Sequence, residues 1–348
     1  MARISGGYEM ADGGALQVAM VGAGYFSQFH VDAWGRMPRA DLVGVCDRNL
    51  ETAKATGAAA YDDLEAMLEA VCPDILDVVV PPMAHADTLR IAFARGVKHV
   101  ICQKPFCQTL EEAKAIVGEA EAAGVTLIVH ENFRFQPWFR YIKDVLDADE
   151  LGELQQISFR LRPGDGQGPR AYLDRQPYFQ KMERLLIHET AVHFIDTYRY
   201  LLGDPTAVYA DLRRLNPVIA GEDAGFFIMD HPNGVRSLFD GNRHIDHIAT
   251  NTRWTMGEAL VEGTKGVLEL LGDGTVWKRK FGSLERSLVF TPTSEGFAGD
   301  CVYALQAHVV AGVLDGAPFE NLARDYLTVV AIEEAVYRSD AEGCKLAL

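Results

Sequence analysis

Val18-Ala19-Met20-Val21-Gly22-Ala23-Gly24-Tyr25-Phe26-Ser27 decides how the first third of the chain is read. An apolar run enters a G-x-G-x-x-S turn, and a helical stretch over residues 25–37 leaves it. The first glycine permits the tight turn and the second lets a pyrophosphate approach the backbone. The third position needs a small residue, here Ser27. The helix start then offers free N–H groups and a positive dipole end. Asp47 ends the next strand 23 residues after Gly24. A carboxylate there accepts ribose hydroxyls and repels a 2′-phosphate, so the expected cofactor is NAD rather than NADP. Arg48, next to it, is placed to stack on adenine or pair with a phosphate.

Outward from this turn, short apolar runs alternate with helical stretches. Strands are expected at 17–21, 42–47, 77–80, 99–103 and 126–130, and helices at 25–37, 64–71, 85–94 and 110–123. The last two helices carry Leu89, Phe93 and Val97, and Leu110, Ala113, Ile116 and Val117, at helical spacing. The strands are apolar throughout, as in a parallel sheet covered on both faces. The pattern predicts a doubly wound α/β domain.

After Phe135 the texture changes. Residues 156–162, 207–215, 225–231, 235–242, 253–262 and 267–271 read as strands with little helix between them, several of them alternating polar and apolar. Asn233-Gly234 signals a hairpin and Gly272-Asp273-Gly274 a turn. One helix, 185–202, interrupts the sheet and ends at Gly203; a final helix covers about 322–339. The expectation is a Gly-rich tail over 1–15, with Met10 as an alternative start, then a nucleotide-type domain over 16–134. An α+β domain over 135–348 follows, its last helix free to fold back on the first domain.

Composition narrows the function classes. The chain has 348 residues, 48% hydrophobic and 24% charged, as globular proteins do. With 33 Lys+Arg against 49 Asp+Glu, the net charge of −16 argues against a nucleic-acid partner. Six cysteines without a CxxC pair point to a reducing compartment and a cytoplasmic location. No uninterrupted apolar run approaches the roughly 20 residues of a membrane span, so no membrane partner is expected.

Four segments carry candidate chemistry. Gln103-Lys104-Pro105 ends a strand at the side where open α/β sheets bind ligands, and a lysine there can lower the cost of an alkoxide. His188-Glu189-Thr190-Ala191-Val192-His193-Phe194-Ile195-Asp196 resembles a zinc HExxH site but has Val192 where the second histidine belongs. Glu189 and His193 are four apart and share a helical face, which suits a carboxylate beside a proton-transferring imidazole and no metal. His130-Glu131-Asn132-Phe133-Arg134-Phe135 sits at the domain seam, and a Gly-rich loop over 162–170 can close on it. His244 and His247 read as strand and turn residues.

Together these motifs resemble the glucose–fructose oxidoreductase/inositol dehydrogenase (Gfo/Idh/MocA) family over roughly residues 16–346. The resemblance rests on Val21-Gly22-Ala23-Gly24, Pro81 with His85, Lys104-Pro105, Glu131 to Phe135, His193 with Asp196, and Val261-Glu262-Gly263-Thr264-Lys265-Gly266. Residues 324–337 also look typical of the family. It implies a Rossmann domain followed by an α+β domain on a large open, mainly antiparallel sheet. It also implies NAD(P)-dependent hydride transfer to or from a sugar, cyclitol or related polyol. By this resemblance Lys104, Glu189 and His193 are catalytic: His193 as acid/base, Lys104 polarising the hydroxyl, and Glu189 orienting His193 or holding the substrate. Gly22, Gly24, Tyr25, Phe26, Asp47, Arg48, Pro81, His85, Gln103 and Lys104 would meet the cofactor; Asn132, Arg134 and Tyr178 would meet the substrate. The chain departs from the family pattern at Gln103 (usually Glu), Pro82 (usually Asn), Glu189 (usually Asp) and Ala191 (commonly Gly). Two other readings stay open: a relative that retains NAD for lyase or glycosidase chemistry, and a non-catalytic dinucleotide-binding regulator. A homodimer or homotetramer is expected, because helices appear for only one face of the second sheet.

Overall fold

The computed structural model describes residues 14–294 and 296–348. The expected tail up to residue 13, with Met10, lies outside the described residues. Along the chain run β1 (Leu16–Val21), α1 (Ser27–Gly35), β2 (Ala40–Cys46), α2 (Leu50–Lys54), β3 (Ala59–Tyr61), α3 (Leu64–Val71), β4 (Ile75–Val78), α4 (His85–Ala94), β5 (His99–Gln103), α5 (Leu110–Ala122) and β6 (Thr126–His130). Then come α6 (Pro137–Asp147), β7 (Leu154–Leu161), a π-helical turn (Leu186–Ala191), α7 (Val192–Leu202), β8 (Ala207–Arg213), β9 (Ala224–Asp230), β10 (Arg236–Asn242), β11 (Gly257–Gly263), β12 (Gly266–Leu270), β13 (Val276–Lys280), β14 (Arg286–Phe290), α8 (Phe297–Asp315), α9 (Ala323–Glu342) and β15 (Leu346–Ala347).

The first sheet has the order β3-β2-β1-β4-β5-β6 and is parallel throughout. This is the Rossmann order, with its switch point between β1 and β4. Val18, Ala19 and Met20 of β1 are fully buried, because both faces of the sheet are covered. Ala19, with Leu76 and Val100, packs toward the α3–α5 side; Val18, with Ile75 and Ile101, packs against Trp34 of α1 and Leu305 and Val309 of α8. Side chains cap the helix starts: Asp63 accepts from Ala66 N at 2.8 Å, and Thr109 from Glu112 N at 3.1 Å.

The second sheet has nine strands, ordered β14-β13-β12-β11-β7-β10-β9-β8-β15, antiparallel except for the β7–β10 pair. Ile157, Phe159, Val208, Phe227, Met229, Phe239 and Val261 point to its buried face, with Phe194, Ile195 and Tyr198 of α7 in the same core. Asn233 and Gly234 both have positive φ (66° and 79°) in the hairpin between β9 and β10.

Several expected elements are corrected. The region after Phe135 holds two further helices. α6 starts on Pro137 and buries Trp138, Phe139, Ile142 and Val145. α8 lies against α1 and closes the far face of the first sheet, a long-range role that its local sequence does not advertise. α8 is long and apolar enough to cross a membrane by length and composition, yet half of it is buried in the protein. α2, β3, β13, β14 and β15 were also not expected. The strand expected at 253–262 begins only at Gly257, and that expected at 77–80 is Ile75–Val78. α9 touches α5 and β6 of the first sheet as well as β8 of the second. The segment before it pairs Leu322 with Ile128 and covers the edge of β6.

Candidate active site

A crevice of about 660 Å³ opens at the carboxyl ends of the first sheet's strands, between the two sheets. The size is that of a small-molecule site, roughly 300–1,000 Å³. Its floor is the turn after β1. Gly22 has φ +98°, and a Cβ there would stand 2.5 Å from the Val79 carbonyl oxygen, so only glycine fits. A Cβ on Gly24 would meet nothing within 4 Å, which leaves open space where a pyrophosphate needs it. Ser27 Oγ donates to Gly24 O at 2.6 Å and no side chain caps α1, although the Ser27 and Phe29 N–H groups bond the carbonyls of Gly24 and Phe26 at 3.2 Å. Asp47 accepts from Ala23 N (2.7 Å) and Asn49 N (2.8 Å), one bond per oxygen. A carboxylate has about four acceptor positions, so two remain for ribose hydroxyls. The residues therefore fit a dinucleotide: Gly22, Gly24 and the α1 start for the pyrophosphate, Asp47 for the ribose, with Tyr25, Phe26, Arg48 and Pro81 around them.

The reactive end of the crevice is assembled from distant segments. Lys104 leaves the end of β5, and its Nζ donates to Glu189 Oε1 (2.7 Å) and to the Glu189 carbonyl (2.6 Å). Burial works to raise the Glu189 carboxyl, but Lys104 and then Arg243 hold it below the ordinary carboxylate range, so it is ionised. His193, at the start of α7, faces the cavity and stacks flat on Phe133, with ring centres 3.8 Å apart. Burial, then Lys104, pushes the imidazole well below its ordinary pKa, so it is neutral. Its Nδ1 bonds Glu131 Oε1. Among the described residues Nε2 has no partner, and it remains for a ligand.

The opposite wall comes from β10 and the loop after β7. Buried Arg243 donates to Thr190 Oγ1 (2.6 Å) and reaches Asp165 (2.9 Å), which also accepts from Arg175 (2.8 Å). Burial raises the Asp165 carboxyl, but Arg243 and Arg175 outweigh it and hold the group below its ordinary range. Asn216 Nδ2 donates to the carbonyls of Gly166 (2.7 Å) and Gly168 (2.9 Å). The loop over 162–170 is thus fastened to the second sheet rather than free to close.

The sequence reading is adjusted at five residues. Glu189 engages Lys104 and not His193, because residues 186–191 form a wide π-helical turn instead of the expected α-helical one. His85 is fully buried with its ring nitrogens against the carbonyls of Phe106 (3.0 Å) and Val80 (2.9 Å), so it braces the crevice loops without lining them. Arg134 is held by Asp196 through two bonds of 2.7 and 2.6 Å and does not line the crevice. Gln103 lines the crevice, but its side-chain amide bonds His30 (2.7 Å) and His130 (3.1 Å) inside the protein. Asn132 lines it while its amide meets Cys301 Sγ at 3.2 Å. Tyr178 lines it half-exposed, its hydroxyl pushed by burial to about 12. His244 pairs with Asp223 (2.9 Å) and His247 with the Thr252 carbonyl (3.1 Å). Sequence reasoning missed Asp165, Arg175, Thr190, Arg243 and Arg253, all on the crevice. Thr190 and Arg253 lay in segments already read as helix (185–202) and strand (253–262), and Asp165 in the Gly-rich loop, but nothing local marked them as functional. All six cysteines are free thiols, four of them buried.

Fold and crevice together define an oxidoreductase of the NAD-binding Rossmann class. Residues 16–131 match the profile described as oxidoreductase family, NAD-binding Rossmann fold, and residues 139–269 match the GFO/IDH/MocA C-terminal domain. The chain belongs to the Gfo/Idh/MocA family. It is 32% identical to a D-apiose dehydrogenase of Paraburkholderia graminis, over 93% of this chain and 88% of that one. It is 29% identical to a D-apiose dehydrogenase of Rhizobium rhizogenes, over 94% and 96%. Among solved structures, an oxidoreductase from Agrobacterium radiobacter, in complex with NAD+, L-tartaric acid and magnesium, superposes with a TM-score of 0.85. It is 28% identical and the match covers 95% of this chain and 98% of that one.

Proposed function

We propose that this chain is an NAD-dependent dehydrogenase of a sugar or polyol hydroxyl, with D-apiose the first substrate to test. The observation that carries the reading is the meeting of Lys104, Glu189 and His193 across the crevice, at the end of the glycine turn that fits a dinucleotide. Residues 16–134 act as the cofactor domain, and residues 135–348 supply the substrate wall and the assembly surface.

NAD, when bound, supplies the hydride acceptor. The Lys104 ammonium, held by Glu189, donates to the substrate hydroxyl oxygen and lowers the cost of alkoxide character. Neutral His193 accepts the hydroxyl proton at Nε2. Glu189 fixes Lys104 and offers its remaining lone pairs to a neighbouring substrate hydroxyl. Asn132 and Tyr178 line the same space, whereas Arg134 is bonded to Asp196 and ion-paired with Glu320 outside it.

The experiment is NADH formation with NAD across D-apiose, other sugars, cyclitols and sugar acids. Steady NADH release with one group of these supports the reading. Product formation that needs NAD but releases no NADH would favour a retained-cofactor lyase or glycosidase. Cofactor binding with no turnover on any substrate would favour a regulator.

The second sheet also supports a homo-oligomer. Its face away from α7 carries a cross-strand row of half-buried Tyr209, Ile228, Leu238, Leu260 and Trp277, in register through Ser158 and Glu269. A face this apolar is covered by a second copy in this reading. Light scattering should give a multiple of 38.3 kDa, and a monomer at micromolar concentration would overturn it. Reduced cysteines support a cytoplasmic location.

A further inference from the structure

Glu131 lies directly behind His193 and is itself fully buried. It follows β6, and three donors converge on its carboxylate. His193 Nδ1 and the Phe133 N–H (3.3 Å) meet Oε1, and the Tyr326 hydroxyl of α9 meets Oε2 at 3.2 Å. Its own carbonyl accepts from Asn321 Nδ2 at 2.6 Å, so the backbone is fixed as well. A buried carboxylate is costly unless its lone pairs are used. Here every contact serves to hold one oxygen against one ring nitrogen.

We propose that Glu131 is the positioning residue of the acid–base cluster: it accepts the Nδ1–H of His193 and so presents the Nε2 lone pair to the substrate hydroxyl. The proposal rests on the reading of His193 as the base. A neutral imidazole carries one N–H, and the partner at one nitrogen decides which nitrogen keeps it. Without Glu131 the proton has no preferred seat at Nδ1, and a share of the molecules would turn a blocked N–H toward the substrate. When the substrate O–H breaks, the new N–H forms at Nε2, the Nδ1–H stays in place, and the imidazolium charge faces the Glu131 carboxylate. Phe133, stacked on the ring, fixes its plane but not its tautomer.

The charged surroundings set the pH behaviour. Lys104 and Glu189 face His193 from the crevice side, and Asp196, paired with Arg134, lies one turn further along α7. Tyr326 and the Cys301 thiol border Glu131 from α9 and α8. Burial raises Glu131 to about 7, chiefly against the pull of Lys104. In acid a second proton enters the pair and occupies Nε2, which stops the base. The carboxylate favours that imidazolium, so removing its charge makes His193 harder to protonate. The acid limb of kcat must therefore move to lower pH in Glu131→Gln.

The test has two arms. In the first, ring 15N shifts are recorded on the free wild-type protein labelled in histidine, with His193→Asn assigning the signal. The expected result in mildly alkaline solution, above the value of about 7 to which burial raises Glu131, is a protonated Nδ1 and a bare Nε2; a protonated Nε2 there overturns the proposal. This arm needs no folded Glu131 variant. In the second, Glu131→Gln is compared with wild type on the sugar that wild type oxidises fastest. We expect NAD affinity unchanged, kcat down about 10–100-fold as for loss of an orienting outer partner, and the acid limb lower by about one pH unit or more. An unmoved limb with unchanged kcat overturns the proposal while leaving the base in place. If His193→Asn itself turns over normally, the reading of His193 fails, and the proposal with it.

Discussion

The cofactor half of the crevice is built around the turn after β1 and the end of β2, whereas the wall facing it is gathered from the whole chain. Ala23 and Asp47, which shape the cofactor side, are 24 residues apart. Lys104 and Glu189 are 85 apart, His193 and Glu131 62, and Tyr326 and Glu131 195. The first half is specified by local backbone rules: a positive φ, a missing Cβ, a helix start. The second exists only once both sheets have folded and α9 has docked across them. Binding of NAD and chemistry on the substrate should therefore be separable by mutation.

The largest effect expected is on turnover. Lys104→Met and His193→Ala should each lower kcat by about 10²–10⁴-fold, the contribution of a positioned acid–base group, with NAD affinity unchanged by calorimetry. Glu189→Gln should cost less, since it keeps size and one hydrogen bond to Lys104. A matching loss of NAD affinity in these variants would mean that the two halves are not separable.

Next comes the stability of the gathered wall. Asp165→Asn leaves the buried Arg243 guanidinium without its carboxylate and should cost about 3–5 kcal/mol in urea unfolding. Because Asp165 is held below its ordinary range, its contribution is complete above the unfolded carboxylate pKa of about 3.9 and is lost as pH falls through the lower folded value. Wild type and variant should thus converge in stability on the acid side, and a constant gap across pH would contradict this.

A smaller effect belongs to the local half. Gly22→Ala forces a positive φ on a residue whose Cβ meets the Val79 carbonyl, a strain of about 1–3 kcal/mol. It should lower Tm modestly and weaken NAD without changing the tautomer of His193. Smallest is Asp47→Asn, which removes a charge and keeps one acceptor oxygen, so that only one of the Ala23 and Asn49 N–H groups stays bonded to it. It should narrow the preference for NAD over NADP by about tenfold, read from Kd for the two cofactors, as one ionic contact of about 1.4 kcal/mol would. Tighter NADP than NAD in the wild type would mean that Arg48, exposed beside Asp47, governs the ribose pocket.

The same contrast explains what was legible in the sequence. β5, β6, α3 and α4 fall where the apolar pattern puts them, because each obeys rules that act within one turn or one strand. Lys104 and His193 were legible as types at particular places, a lysine ending a strand and a histidine on a helix. Their partners were not. The π-helical turn rotates Glu189 away from His193, and no periodicity of LIHETA signals that extra width. Glu131 stood in a quoted motif, but its role depends on Tyr326 and His193, which only the tertiary fold brings near. α8 was unread for the same reason: it reaches back to cover a sheet whose strands lie some two hundred residues earlier, and its first turn is left-handed at Ala298–Asp300, outside helical rules.

The most direct measurement is single-turnover NADH formation, at saturating NAD, in Lys104→Met, His193→Ala and the double variant, with D-apiose or the panel sugar that wild type oxidises fastest. Groups that act on one proton behave as a unit, so the double variant should be no slower than the slower single variant within a few-fold. A double loss equal to the product of the two single losses would contradict the account, because Lys104 and His193 would then be acting on separate steps.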